Sequence, residues 1–194
     1  YHITARCINH EWFQLPMEAV WKIMSRQLYF INKAFNVKIL SYVLMNNHFH
    51  LLVLTPEANV SLAMANFMKE TSLSLAKAGN RVNETYTGRH YKCIIKSYHH
   101  FNHAYKYVYR NPVAAGIVQK VEDYPYSTLY GLLGRSHLFI PVEEDTILFD
   151  DVEGSLNWLN ANPRQSDIDA ISTALKKREF CLRRDTSTGR PNRL

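Results

Sequence analysis

The chain has 194 residues, 46% of them hydrophobic, which is enough for one well-packed domain and a smaller extension. No window reaches the roughly 18 to 20 apolar residues that a membrane span needs, and the first residues lack the basic-then-apolar pattern of an export signal, so we expect a soluble, cytoplasmic protein. The three cysteines, Cys7, Cys93 and Cys181, are far apart, which fits a reducing compartment and argues against a disulfide framework or a CxxC zinc site.

The positive charge is concentrated in one segment. The net charge is +6, and residues 69–110 contain eight Lys and Arg against two Glu, an excess equal to that of the whole chain. The same segment carries six tyrosines, Tyr86, Tyr91, Tyr98, Tyr105, Tyr107 and Tyr109. Cations interleaved with aromatic rings are typical of grooves for single-stranded nucleic acid, because phosphates need counter-charge and unstacked bases need flat partners. The alternative is a solvated, tyrosine-rich surface.

The first part of the chain alternates between strand and helix patterns. Residues 1–8 have the alternation of a strand. Apolar residues at helical spacing predict an amphipathic helix over Met17–Phe35. The apolar run after it favours one continuous strand from Val37 to Leu54, and a hairpin that turns near residues 45–47 is the alternative.

Two further segments, one helix and one strand, complete the predicted fold. Val60–Ala78 has the pattern of a second helix, with Gly79 and Asn80 as its stop, and Cys93–Ile95 predicts a short last strand. This order predicts an α+β fold of the ferredoxin-like (RRM- or palm-like) type, with an antiparallel sheet and helices on one face. We expect the other face to be open for a substrate.

Two histidines stand out within the long apolar run. Side chains alternate along a strand, so His48 and His50 lie on the same face of the sheet. Histidine is the commonest nitrogen ligand for divalent metals, and such a pair can bind one ion. The alternative is a pair of partly buried histidines whose ring nitrogens are satisfied by hydrogen bonds.

A later helix places a phenol beside an amide. Residues 99–110 favour a helix that Pro112 ends or kinks near Asn111. Tyr107 and Asn111 are one turn apart and share a face, whereas Tyr105 and Tyr109 lie on the opposite side. A tyrosine nucleophile beside a metal with an amide ligand needs this geometry. His99, His100 and His103 leave open a second metal cluster, to which only some of them could contribute.

Beyond residue 134 the composition changes. An acidic stretch over 143–153 precedes a predicted helix over Ser166–Leu182 and a basic end over Lys176–Arg193. The acidic stretch fits a solvated face or a cover for a basic one. The basic end fits a flexible arm that holds phosphates, or a plain disordered tail. We expect a C-terminal extension with helical and basic parts over residues 135–194.

Several segments resemble one known family. The Leu44–Val53 segment resembles the His-hydrophobic-His motif of HUH nucleases in the form found in IS200/IS605-type tyrosine transposases, with Asn46 where that family usually has Pro. Tyr107–Val118 resembles the Tyr-x-x-x-Asn-Pro-Val signature of REP-associated tyrosine transposases. Weaker matches lie at Tyr86–Lys92, at Asp123–Thr128, which has Tyr where the family usually has Trp before the Ser, and in the Gly-Arg-Pro element at 189–191.

The resemblance spans roughly residues 2–131 and implies a function. Residues 1–134 would be the catalytic domain, with Tyr107 as nucleophile and with His48, His50 and Asn111 as ligands of Mn²⁺ or Mg²⁺, of which the two imidazoles suit Mn²⁺ better. The reaction would cut single-stranded DNA near REP-like hairpins through a 5′-phosphotyrosine, in a monomer or a homodimer. We expect DNA contacts from Arg6, Arg89, Lys92, Lys96, Arg110 and Arg190.

Two other functions compete with this one. A domesticated relative could recognise folded single strands without cutting them, for which a basic groove would suffice. A two-histidine phosphoesterase that acts on RNA ends is also built from strand-helix units, but that class needs two separated His-x-Thr/Ser motifs. The chain has one His-x-His and no second copy. The presence of Tyr107 and Asn111 together with both histidines favours the nuclease.

Overall fold

The computed structural model describes residues 1–80 and 85–182. Its regular elements, in chain order, are β1 (His2–Arg6), α1 (Met17–Phe35), β2 (Lys38–Leu44), β3 (His48–Leu54), α2 (Val60–Ala78), β4 (Tyr91–Cys93), α3 (Tyr98–Ala114), α4 (Thr128–Leu132), α5 (Thr146–Asp150), α6 (Val152–Asn160) and α7 (Gln165–Leu175). The four strands form one antiparallel sheet in the order β2-β3-β1-β4, which confirms the predicted α+β fold. None of the described helices is long and apolar enough to cross a membrane.

Helices α1 and α2 cover one face of the sheet. In α1 the residues Val20, Met24, Leu28 and Ile31 are fully buried and recur at helical spacing, so they form one apolar stripe. The stripe packs with alternate strand residues such as Ile3 into a continuous hydrophobic core. Both helices have the bounds that the sequence predicts.

The opposite face of the sheet, which the sequence predicts to be open for a substrate, is partly covered. Helix α3 packs there, and Val108 of α3 shares a second core with Val43, Leu52 and Cys93 of the strands. Helices α5, α6 and α7 add apolar residues to the same core, so the C-terminal extension is packed against α3. The face remains accessible beside His50, where α3 and the sheet border a cleft.

The apolar run that carries the histidines is a hairpin, and the favoured single strand is wrong. β2 and β3 pair antiparallel, and the Met45 N–H donates to His48 O at 2.8 Å across the turn. The turn contains no glycine, and its backbone is held from outside, because Phe13 N–H donates to Asn46 O and Cys7 N–H donates to Asn47 O, both at 2.8 Å. Both strands are buried on both faces, so each reads as a largely apolar run, and the polar pair Asn46-Asn47 lies at the turn between them.

Three predicted boundaries also shift. Helix α3 continues through Pro112 to Ala114. Proline has no N–H for Val108 O, and the Asn111 Nδ2 donates to that carbonyl at 3.5 Å instead. β4 lies two residues earlier than predicted, and α7 ends at Leu175 instead of Leu182.

Candidate active site

The two histidines lie on the floor of the cleft. In the register of β1 and β3, Thr4 is opposite His50 and Arg6 is opposite His48, so these side chains project from the same face. The cleft has a volume of about 1000 Å³, and its walls come from β1, β3, the segment 87–91, α3 and α7. The predicted pair of imidazoles is therefore side by side at an open surface.

Both imidazoles are held in the neutral form. Their ring centroids are 5.0 Å apart and the rings are nearly perpendicular. Burial lowers the pKa of His48 to about 4, and burial together with the neighbouring His2 lowers the pKa of His50 well below its ordinary value. A neutral imidazole has a lone pair on one nitrogen, so both rings are able to bind a metal at neutral pH.

Helix α3 brings the phenol and the amide to the same place. The Tyr107 ring is 5.7 Å from the His50 ring, centroid to centroid, and perpendicular to it. The Asn111 Nδ2 donates to Tyr107 O at 2.7 Å, so the amide orientation is fixed by the helix itself. The Asn111 side chain raises the pKa of His50, in opposition to the larger effect of burial. Tyr107, Asn111 and His50 thus meet in one cleft.

These donors fit a divalent metal. Within residues 1–80 and 85–182, no group of three or more His, Cys, Asp or Glu side chains is arranged to hold an ion. A metal here would therefore need the Asn111 oxygen beside the two imidazoles. Two neutral nitrogens and one amide oxygen form a mixed donor set that suits Mn²⁺ better than Mg²⁺.

The neighbouring tyrosines of α3 have structural environments. Tyr105 and Tyr109 are both buried, the Tyr105 hydroxyl donates to Asp145 Oδ2 at 2.7 Å, and the Tyr109 hydroxyl is 2.9 Å from Thr128 Oγ1. Burial raises the pKa of both phenols. Asp145 comes from the predicted acidic stretch, and it also caps α5 through Leu148 N–H. Neither phenol lines the cleft.

The predicted DNA-binding cations are in different places. Arg6 and Arg89 line the cleft. Lys92 is next to Ile3 in the β1–β4 register and donates to Ser61 Oγ of α2, so it lies on the other side of the sheet. Lys96 forms an ion pair with Glu179 at 2.7 Å, outside the cleft lining. Arg190 lies outside the described residues, as does the Gly-Arg-Pro element.

Arg110 has a structural position, contrary to the predicted DNA contact. Its side chain is buried, with 8% exposure. Its guanidinium donates to Leu159 O, Asn160 O and Asn162 Oδ1, each at 2.9 Å, and so ties α3 to the end of α6. The sequence shows only that Arg110 is a cation in a basic segment, whereas the fold shows a buried side chain that connects α3 and α6.

Two residues of the cleft were not singled out in the sequence. The His2 Nε2 is 2.9 Å from His50 Nδ1, and the two rings are stacked. The Tyr107 hydroxyl donates to Ser172 Oγ of α7 at 3.4 Å. Strand alternation places His2 on the same face as His48 and His50 once the register is known, but no local signal points to Ser172.

The second histidine cluster does not have the form of a metal site. His99 and His103 contact each other with 3.1 Å between their Nε2 atoms, and the His100 ring packs against Phe180. The His99 ring is also 6.1 Å from the His100 ring, centroid to centroid. In the part of the chain that the structure describes, no three or more His, Cys, Asp or Glu side chains are arranged to hold an ion, so the cleft remains the candidate centre.

Comparisons with known proteins identify the fold and the family. A structure described as a REP-associated tyrosine transposase bound to a REP hairpin has the same fold, with a TM-score of 0.58, 19% sequence identity, and coverage of 75% of this chain and 86% of that one. No curated protein matches the chain at a significant level. The family model described as "Transposase IS200 like" matches residues 1–111, which is more than half of the chain. The chain therefore belongs to the IS200-like transposase family.

Proposed function

We propose that this protein is a metal-dependent single-stranded DNA endonuclease and strand transferase that cuts beside REP-like hairpins. The observation that carries the proposal is the meeting of Tyr107, His50 and Asn111 in one open cleft. In this proposal residues 1–134 form the catalytic domain and residues 135–194 form an extension, of which the described helices α6 and α7 contact α3. The protein acts on DNA in the cytoplasm as a monomer or a homodimer.

The Tyr107 hydroxyl is the proposed nucleophile. Its oxygen attacks the phosphorus of a phosphodiester, a new phosphorus–oxygen bond forms, and the bond to the 3′ oxygen breaks. Tyr107 loses its phenolic proton and the departing 3′ oxygen takes up a proton, so the products are a 5′-phosphotyrosine and a free 3′-hydroxyl. A second 3′-hydroxyl reverses the step and joins new ends without ATP, because the covalent link conserves the bond.

His48, His50 and Asn111 are the residues that would hold Mn²⁺ or Mg²⁺. When bound, the cation polarises the scissile phosphate and stabilises charge on the oxygens around phosphorus. The low pKa values of both imidazoles keep their lone pairs available at neutral pH. Asn111 is held by its bond to the α3 backbone, so its orientation is set before any ligand arrives.

The rest of the cleft supplies what an unpaired strand requires. Arg6 and Arg89 provide positive charge for phosphates. Tyr91 also lines the cleft, and its side chain is 70% exposed, so its ring is free to stack on a base. Among the Lys, Arg and Tyr residues of the basic segment 69–110, Arg89, Tyr91 and Tyr107 line the cleft.

The charge of Arg89 gives one prediction. Arg89→Gln should weaken hairpin binding and lower the slope of log affinity against log salt by about 1, because one phosphate contact is lost. The measurement is a fluorescence-anisotropy titration at several salt concentrations. Lys92→Gln removes the same charge from the nearby strand on the other side of the sheet, and it should leave the slope unchanged. Equal effects of the two variants would contradict the assignment of Arg89 to the DNA path.

The cleavage proposal is tested by trapping the covalent product. The full chain is incubated with a fluorescent oligonucleotide that carries a hairpin and single-stranded flanks, with Mn²⁺ or with EDTA, and is then denatured on a gel. We expect a labelled protein band with Mn²⁺ and none with EDTA. A fully paired duplex of the same sequence should give no band. Binding without a band on any hairpin would favour the non-cleaving single-strand binder.

A further inference from the structure

We propose that His2 is a positioning residue that accepts a hydrogen bond from His50 and thereby directs the other ring nitrogen of His50 toward the metal. Asn47 has the corresponding role for His48. This inference rests on the proposed function, because it concerns the ligands of the same site. It assigns a role to two side chains that neither bind the ion nor touch the scissile phosphate.

The Asn47–His48 pair shows the principle most directly. The Asn47 Nδ2 donates to His10 O at 2.9 Å, so the amide oxygen is the atom that faces His48. The distance from Asn47 Oδ1 to His48 Nδ1 is 2.7 Å. An amide oxygen only accepts hydrogen bonds, so Nδ1 carries the proton. The Nε2 of His48 therefore has the lone pair.

The His2–His50 pair is arranged in the same way, with a ring nitrogen of His2 as the acceptor instead of an amide oxygen. The His2 Nε2 lies 2.9 Å from His50 Nδ1, and both rings are buried on the floor of the cleft. Between two neutral imidazoles one nitrogen donates and the other accepts. A ligand must bind metal through an unprotonated nitrogen, so a His50 that binds through Nε2 carries its proton on Nδ1. His2 Nε2 is then the acceptor.

The position of the proton on His50 decides whether the ring can bind an ion. His50 and Asn111 line the same cleft, and Nδ1 of His50 already contacts His2, so Nε2 is the nitrogen left for a ligand. With a proton on Nε2, His50 cannot bind an ion through that nitrogen. With the proton on Nδ1, the lone pair of Nε2 is available for a cation in the cleft. His2 stabilises the second state by accepting the hydrogen bond.

The test measures metal affinity in the absence of DNA. Mn²⁺ alone is titrated into the full chain and the free ion is followed by electron paramagnetic resonance. His2→Phe removes the acceptor and should weaken Mn²⁺ binding by about 10- to 100-fold, the usual effect of losing such a partner. His2→Gln keeps an oxygen acceptor and should restore most of the affinity. Thr4→Val changes a neighbour on the same strand face and should have no effect.

The tautomers of His48 and His50 are determined by nuclear magnetic resonance of the histidine ring nitrogens. In the wild-type chain loaded with diamagnetic Zn²⁺, we expect Nδ1 of both His48 and His50 to be protonated. This measurement needs no variant, so it decides the matter even if His2→Phe does not fold.

The outcomes separate this inference from the proposed function. If the wild type forms the DNA adduct but His2→Phe binds Mn²⁺ as tightly as the wild type does, only the role of His2 is wrong. A protonated Nε2 on zinc-loaded His50 would overturn it as well. If the wild type binds no Mn²⁺, the proposed metal site fails, and the inference fails with it.

Discussion

Tyr107→Phe is expected to abolish the covalent protein–DNA adduct and to leave hairpin binding within about twofold of the wild type. The substitution removes one oxygen and keeps the ring that packs against His50. Without that oxygen no bond to phosphorus can form, so the rate of adduct formation should fall by at least about 10³-fold, as it does when a nucleophile is removed from other enzymes. A time course of the labelled band on a denaturing gel measures the rate, and anisotropy measures the binding.

The cleft supplies a matched control for this experiment. Tyr91 also lines the cleft, but its position on β4 is two strands away from His50, or about 10 Å at normal strand spacing. Tyr91→Phe should therefore keep the adduct. Tyr105 and Tyr109 are unsuitable as controls, because both are buried and hydrogen-bonded and their variants would lose stability. Adduct formation by Tyr107→Phe, or its loss in Tyr91→Phe, would contradict the assignment of the nucleophile.

Arg110→Ala should lower the free energy of unfolding by about 3 kcal/mol or more. The guanidinium donates to three acceptors, and hydrogen bonds to a charged group contribute about 1.5 to 3 kcal/mol each, with further cost when buried acceptors lose their partner. Urea denaturation followed by circular dichroism measures the change. Arg89→Ala removes an arginine from the cleft lining and should change stability by no more than about 0.5 kcal/mol.

The Arg110→Ala variant also distinguishes the two roles of Arg110, which are the DNA contact predicted from the sequence and the structural role seen in the fold. If Arg110 contacted DNA, its replacement by Ala would weaken hairpin binding and leave the free energy of unfolding unchanged. As a bridge between α3 and the end of α6, its loss destabilises the fold, while the folded fraction still binds the hairpin. A stable Arg110→Ala protein with impaired binding would support the sequence reading.

The local periodicities of the sequence were sufficient to predict which residues of the candidate site share a face. Alternation along a strand put His48 and His50 on one face, and helical spacing put Tyr107 and Asn111 on one face. Both rules depend only on backbone geometry, so they hold without knowledge of the tertiary fold. That these two faces meet is a tertiary fact, which the family resemblance predicts and the periodicities do not.

Other features depend on packing and were beyond a local reading. The β2–β3 turn has no glycine, and backbone hydrogen bonds from Cys7 and Phe13 hold it, so the local signal of Asn46-Asn47 did not distinguish a hairpin from one continuous strand. The His2–His50 contact requires the register of β1 against β3. In the sequence Arg110 cannot be distinguished from a surface cation, because its burial depends on the end of α6. Ser172 contacts Tyr107 only because α7 packs on α3.

One polypeptide carries the phenol on α3 and both imidazoles on β3. Under the proposed chemistry, a single copy needs no side chain from a second copy to cut a strand, and it holds one 5′ end at a time. An exchange that joins two pairs of ends would then take either two copies acting together or two successive turnovers of one copy. In a saturated reaction, the count of attached strands per chain should therefore level off at one.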